Sequence, residues 1–358
     1  MIAVNRPAHP YSDAQLNRLR LSADPLTDAV ALRIDQIPAD SLLKEVIFLA
    51  KCEIGIYQEW LDHLHSVPAW IDHGQLERAR QLQLSFASER RLAWLVNGLL
   101  RIRTLFRCHL IDAGQRLTEF LQLQNCLHQP ATLLPGGPGH SQLMEHRLNR
   151  AMERWALRGR GRNLLTLGEP FNQETLALEM LETGLLTVQG MAALGVALQP
   201  DDQLALHHFN RYVAWLSGVD GRLLAETPEQ AAQLLQRLQQ RYGCGPRPEQ
   251  TGLLNTLAAE RQLRLSANLL PAAARHCLGD DVADQLELPN QQRALQLYCT
   301  ANRGKTFAVY HLPGFGPLSA RLNLSKRRNP EAQSSGRTSS SLQALPPVRK
   351  NRNARHIR

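Results

Sequence analysis

Cysteine is scarce in this 358-residue chain and scattered. The six cysteines, at 52, 108, 126, 244, 277 and 299, form no C-x-x-C pair and no dense spacing. That excludes a structural zinc ribbon or a disulfide framework and predicts free thiols in a reducing compartment. No run of about 18 uninterrupted apolar residues occurs, so the sequence offers no membrane-spanning helix. The first stretch, MIAVNRPAHPYSDAQLNRLRLS, lacks the charged-then-apolar order of a secretion signal and carries no twin arginine. These features predict a soluble, cytoplasmic protein. There is also no internal repeat, no phosphate-binding glycine loop and no H-E-x-x-H, which excludes solenoids, P-loop hydrolases and zincin peptidases.

An excess of positive charge is missing from most of the chain as well. The formal charge is +9, but ten of the 41 Lys and Arg lie in the last 38 residues beside one of the 32 acids. The first 320 residues therefore carry 31 of each sign. From Arg321 onward the Ser, Asn, Pro and Arg content cannot support a core, so 321–358 reads as a disordered basic tail. Such a tail implies weak, salt-sensitive attraction to polyanions and no dedicated nucleic-acid binding. Residues 1–38 read as an N-terminal arm with one or two short helices, the first capped by Ser12. Residues 39–320 then form the structured domain.

What that domain has in abundance is helical spacing of apolar residues. Its centre is Gly168 to Asp220. Asn172 is the N-cap of a first helix, with Glu174 in the first turn, where a negative charge suits the helix dipole. Ala177, Met180, Gly184, Thr187, Met191 and Leu194 recur every three or four residues, and Gly195 marks the stop. Gly184 and Gly195 permit close approach of another backbone. A second helix begins at Pro200-Asp201-Asp202 and carries Leu206, Phe209, Val213 and Leu216 along one stripe. Upstream, Ser41–His65 reads as one long helix broken by Val67-Pro68. Gln75–Phe106 and Ile111–Leu127 read as further helices, and Ala131–His140 as a turn-rich loop. The helix Ser141–Leu157 has Met144, Leu148, Ala151 and Trp155 as its buried stripe, with Arg147 and Arg154 seven residues apart on one flank. Thr227-Pro228-Glu229-Gln230 opens another helix with a capping box. Helices follow around 249–263, 266–277 and 290–301, Thr306–Tyr310 has the composition of a short strand, and Pro313–Pro317 closes the fold. The class is all-α, a single multi-helix domain.

The residues EPFNQETLA (169–177), the Leu194-Gly195-Val196 ending and HFNRYVAWLSGVD (208–220) resemble the oxygenase family of bacterial latex-clearing proteins (rubber oxygenases) and fungal MpaB-type oxygenases. The likeness extends upstream through Val67–Asp72 and Arg147–Arg154, covering roughly Leu42 to Leu257. The resemblance implies an all-helical fold holding haem b, with an Arg- and Thr-bearing distal helix that here supplies Arg116 and Thr118. It also implies an axial histidine in a segment resembling R-L-x-H-A-x-x-R. Here that segment is Arg147-Leu148-Asn149-Arg150-Ala151-Met152-Glu153-Arg154. Arg150 stands at the histidine's place, and a guanidinium has no lone pair to give to iron. Replacement ligands are His146, one turn back, and His208. Arg147, Arg150, Arg154 and Arg211 are the candidate cofactor-contacting cations, Arg147 and Arg154 pairing either with haem propionates or with helix acids. Two functions follow. One is a haem-dependent oxygenase that activates O₂ or peroxide beside a hydrophobic small molecule. The other is a helical scaffold that has lost haem and binds a partner or an apolar ligand.

Overall fold

The computed structural model describes residues 11–34, 42–52, 55–96, 131–158, 168–242, 269–288, 290 and 292–328. Among them every regular element is a helix. The arm contributes α1 (Asp13–Arg20) and α2 (Pro25–Ala31). Ser12 caps α1 through the Gln15 N–H, and Asp24 caps α2 through the Thr27 N–H. The expected long helix up to His65 is two helices, α3 (Leu42–Cys52) and α4 (Ile56–His65), with Gly55 as the N-cap of the second. Then come α5 (His73–Ser85), opened by the Asp72 carboxylate on two N–H groups, and helical residues 87–96, here α6.

The helix α7 (Pro138–Arg158) is followed by α8 (Gln173–Leu181), a π-helical turn at Glu182–Leu186, and α9 (Thr187–Ala193). Sequence periodicity presents this stretch as one regular helix. The extra residue of the π turn is accommodated where Thr183 and Thr187 donate their hydroxyls to the carbonyls of Glu179 and Thr183, at 2.5 and 2.6 Å. Gly184 lies in that turn against α10 (Pro200–Leu216), and a Cβ there would stand 2.8 Å from the Asn210 side chain. Next are α11 (Pro228–Tyr242), α12 (Leu269–Leu278) and α13 (Asp280–Gln285), and finally α14 (Gln292–His311) and α15 (Phe315–Arg328).

Two expectations are corrected here. Thr306–Tyr310 is helical, the last turns of α14, whose Thr306 donates to the Asn302 carbonyl. Residues 321–328, expected in the tail, are helical instead, because α15 runs to Arg328 and is tied to α5. Its Asn323 and Ser319 donate to the carbonyls of Leu84 and Ser85, the otherwise open end of α5. The expected helix 249–263, like 97–130 with Arg116 and Thr118, lies outside the described residues.

Packing follows the apolar stripes. The main core is built on α5, α6, α8, α10, α11, α12 and α14, with Leu92, Leu95, Leu194, Leu234 and Leu238 at or near zero exposure. On α10, Leu206, Phe209, Val213 and Leu216 are all buried, as their spacing predicts. A smaller core joins Val30, Leu42, Val46, Trp60 and Leu64 of α2–α4 to Met144 and Leu148 of α7. Leu143 of α7 belongs to the main core. Helix α7 is therefore the partition between the two cores, and what lies on its remaining face decides how they are joined.

Candidate functional site

That remaining face carries arginines. Arg147, Arg150 and Arg154 are all buried, while Trp155, expected in the buried stripe, is 45% exposed. The inversion has a physical reason, because each guanidinium meets a carboxylate that makes its burial tolerable. Arg147 Nε donates to Asp24 Oδ2 and its Nη2 to Asp24 Oδ1 at 3.1 Å, a two-pronged pair. Arg154 Nε donates to Asp28 Oδ1 at 2.8 Å and its Nη1 to the Phe171 carbonyl at 3.2 Å. Arg158 reaches Glu169 at 2.5 Å and Asp28 at 3.3 Å. Arg150 Nη2 donates to Glu179 Oε1 at 2.7 Å.

The first of these pairs is embedded in a chain of donors. Trp60 Nε1 donates to Thr27 Oγ1 at 2.9 Å, and Thr27 donates to Asp24 Oδ2 at 2.7 Å. Burial alone would push the Asp24 carboxyl upward. The charge of Arg147, the hydrogen bonds from Arg147 and Thr27, and the more distant Arg154 outweigh that and hold it below the usual aspartate range.

The EPFNQE run is a set of partners for this row. Glu169 takes Arg158, and the Phe171 carbonyl takes Arg154, with Phe171 itself at φ 50°, an uncommon conformation for a side chain of that size. Asn172 caps α8 through the Thr175 N–H at 3.1 Å. Gln173 donates to the carbonyls of Ala23 and Gly218, at 2.5 and 2.9 Å, and accepts from the Asp220 N–H at 2.7 Å. Glu174 receives Arg241 at 2.9 Å and the Tyr242 hydroxyl at 3.0 Å. The SGVD end of the second motif thus meets the first motif. Gly218 has φ +90°, and a Cβ on it would lie 2.7 Å from Arg147 Nε and 2.8 Å from Asp24 Oδ2. Only glycine lets this turn close over the buried pair.

The two histidines put forward as iron ligands are not brought together with position 150 in the same way. His146 is half-buried on α7, one turn before Arg150. His208 is on α10, where its Nε2 accepts the Asp72 N–H at 3.0 Å and its ring meets Trp70 edge-on at 5.6 Å. Burial, helped by the charge of Arg211, lowers its pKa against the pull of Asp72, so it is neutral at pH 7 with that lone pair engaged. His208 is thereby a fixed acceptor that starts α5. Arg211 lies over the Trp70 ring at 4.2 Å, away from the α7 row. Among the described residues, no group of three His, Cys, Asp or Glu is placed to hold a metal ion.

The axial ligand of haem, which the resemblance places at position 150, does not fit the residue present there. Position 150 has no donor for iron and is engaged with Glu179, and Arg147 and Arg154 are neutralised by carboxylates of the chain itself. Asp24, Asp28, Glu179, Gln173 and Gly218 escaped the sequence pattern. The only advance signal of them was the density of acids and amides inside EPFNQE.

On the other side of α8 lies an apolar cleft that no α7 residue lines. Met180 and Leu185 form one wall, His207 and Arg211 of α10 a second, and Leu224 and Ala231 a third. It spans about 630 Å³, part of it open to solvent, of which about 60 Å³ is wide enough for water.

Residues 137–304 match the family described as "ER-bound oxygenase mpaB/B'/Rubber oxygenase, catalytic domain". The match starts at the head of α7 and ends within α14, so it includes Glu169 and Glu179 but not Asp24 or Asp28. The solved structure of latex clearing protein LCP in the closed state superposes with a TM-score of 0.63 at 19% identity, covering 86% of this chain and 90% of that one. At that identity the likeness is one of fold. No curated protein matches the chain. Through its α7–α14 segment the chain is thus similar to the mpaB/rubber oxygenase catalytic domain, and in overall fold to the latex clearing protein.

Proposed function

We propose that this chain uses the oxygenase fold to bind a hydrophobic small molecule, without haem iron bonded to α7. The observation that carries the proposal is the Arg150–Glu179 pair, 2.7 Å long, at the place where the family resemblance puts the axial ligand. Both side chains are largely withdrawn from water, Arg150 6% and Glu179 18% exposed. Opening that place to an iron porphyrin means separating two buried charges, which costs several kcal/mol, roughly 3–5. The cleft along α8 and α10 supports the ligand-binding half of the reading, since apolar side chains dominate its lining and a few polar groups converge on it from one wall.

The test is binding of dodecanol to haem-free protein, followed by tryptophan fluorescence. Saturable binding at one site per chain is the expected result. No binding, or binding only after hemin is added, contradicts it.

A second reading is a haem-dependent oxygenase acting on the same kind of molecule, with O₂ or peroxide as oxidant. His146 favours it, being half-buried one turn, about 5.4 Å, before Arg150 on the same helix. That reading predicts stoichiometric haem uptake abolished by His146→Ala.

A further inference from the structure

The cleft has two unlike sides, and the difference identifies its ligand more closely than "hydrophobic". The α8 wall and the 219–231 wall are apolar, with Ala177, Met180, Leu185, Val188, Leu223 and Leu224. The α10 wall instead presents Gln203, His207, Asn210 and Arg211, at i, i+4, i+7 and i+8 of one helix, and so on one stripe. Two of the polar groups are already committed. Gln203 donates to the Leu198 carbonyl at 3.0 Å, and His207 Nε2 is 3.1 Å from the Ala225 carbonyl. Burial, with the neighbouring Arg211 charge, holds His207 below its ordinary pKa despite that carbonyl, so the α10 wall carries its charge on Arg211.

Arg211 differs from the arginines of α7. Arg147, Arg150, Arg154 and Arg158 each meet a withdrawn carboxylate at 2.8 Å or closer. Arg211 has Glu226 at 3.8 Å, and Glu226 is 74% exposed. The Arg211 side chain is itself only 17% exposed, and its Nε is buried with no hydrogen-bond partner among the described residues. A cation in that position has donors to spare and little water to satisfy them. Its plane is fixed from below by the Trp70 ring, 4.2 Å away, so the fork is oriented in advance.

From this, and resting on the ligand-binding reading above, we propose that the cleft takes an amphipathic carboxylate. Its head pairs with Arg211 and its hydrocarbon chain runs between Met180, Leu185 and Leu224. The apolar walls opposite the α10 stripe suit a hydrocarbon chain rather than a second polar group. Glu226, loosely held and mostly in water, is the group the carboxylate displaces from Arg211.

The experiment compares dodecanoate with dodecanol on the intact chain at pH 7.5, with Trp fluorescence as the readout. The expected result is that dodecanoate binds at least tenfold more tightly. Arg211→Gln removes that preference and leaves dodecanol affinity within about twofold. Glu226→Gln, at an exposed position that does not threaten folding, strengthens dodecanoate binding and leaves dodecanol unchanged. Equal affinity for acid and alcohol in the wild-type chain overturns the carboxylate assignment while leaving the hydrophobic-ligand reading standing. So does an unchanged dodecanoate affinity in Glu226→Gln. Failure of both ligands to bind removes the reading on which the assignment rests.

Discussion

Arg150 and Glu179, 29 residues apart in sequence, are joined across α7 and α8 by a 2.7 Å hydrogen bond between oppositely charged side chains. The bond lies where the resemblance read from the sequence leads one to expect an iron ligand, and it supplies a structural use for that place. Breaking it should be costly in a way that replacing it is not. Glu179→Ala leaves a buried guanidinium short of its carboxylate and should lower stability by about 3 kcal/mol. Arg150→Met with Glu179→Leu should restore most of the loss. Urea unfolding of Arg150→Met, Glu179→Leu and the double measures this, and additive losses in the double would show that the two side chains do not act as a pair.

Gly218 is the tightest backbone constraint on the row. Gly218→Ala puts a methyl group 2.7 Å from Arg147 Nε at φ +90° and should destabilise by more than about 1 kcal/mol. Gly221→Ala, three residues on with nothing within 4 Å of the added Cβ, is the matched control and should be near neutral. Thermal melts of the two variants side by side decide it. Equal losses would mean that closure over the Arg147–Asp24 pair does not require glycine.

The Asp24 carboxyl gives the row a pH signature. Its folded pKa lies below the unfolded value of about 3.9, so its contribution is fully present above that value and is lost as pH falls through the folded pKa. Asp24→Asn should therefore be strongly destabilising at pH 7, with the gap to wild type closing as pH falls below about 4. Unfolding measured from pH 7 to pH 3 checks the sign. A gap that widens toward acid contradicts the ionised, paired Asp24.

Local chemistry was legible in the sequence and distant chemistry was not. Ser12, Asn172 and Thr227 cap helices as their spacing predicts, because a cap is a contact over two or three residues. Even there the box at Thr227 closes on the Glu226 N–H, to which Gln230 Oε1 is bonded at 2.9 Å. Gly195 ends α9 against α14 as a glycine stop should, at φ +93°, with the Cys299 carbonyl oxygen 2.5 Å from where a Cβ would stand. The Arg147–Asp24 and Arg154–Asp28 pairs span 123 and 126 residues and leave no periodic trace. Counting apolar positions therefore put Trp155 inside and left the arginines on a flank, whereas paired charges took the interior. The family resemblance was carried by motifs whose residues turn out to be each other's partners, Gln173 with Gly218 and Asp220.

The basic C-terminal stretch makes a separate expectation. Ending the chain after Arg328 removes six of its 41 Lys and Arg and one acid. The shortened protein should elute from a heparin column at lower salt and melt at the same temperature, since α15 keeps Ser319 and Asn323 on α5. Unchanged elution would place polyanion attraction elsewhere.

The most direct measurement of the central claim is a hemin titration of the purified chain, read at the Soret band before and after dithionite. The wild-type protein should give no saturating, stoichiometric band, because Arg150 and Glu179 hold each other at the ligand position. A sharp Soret band at one haem per chain, lost on His146→Ala, would contradict that claim and make this protein a haem oxygenase with a displaced ligand.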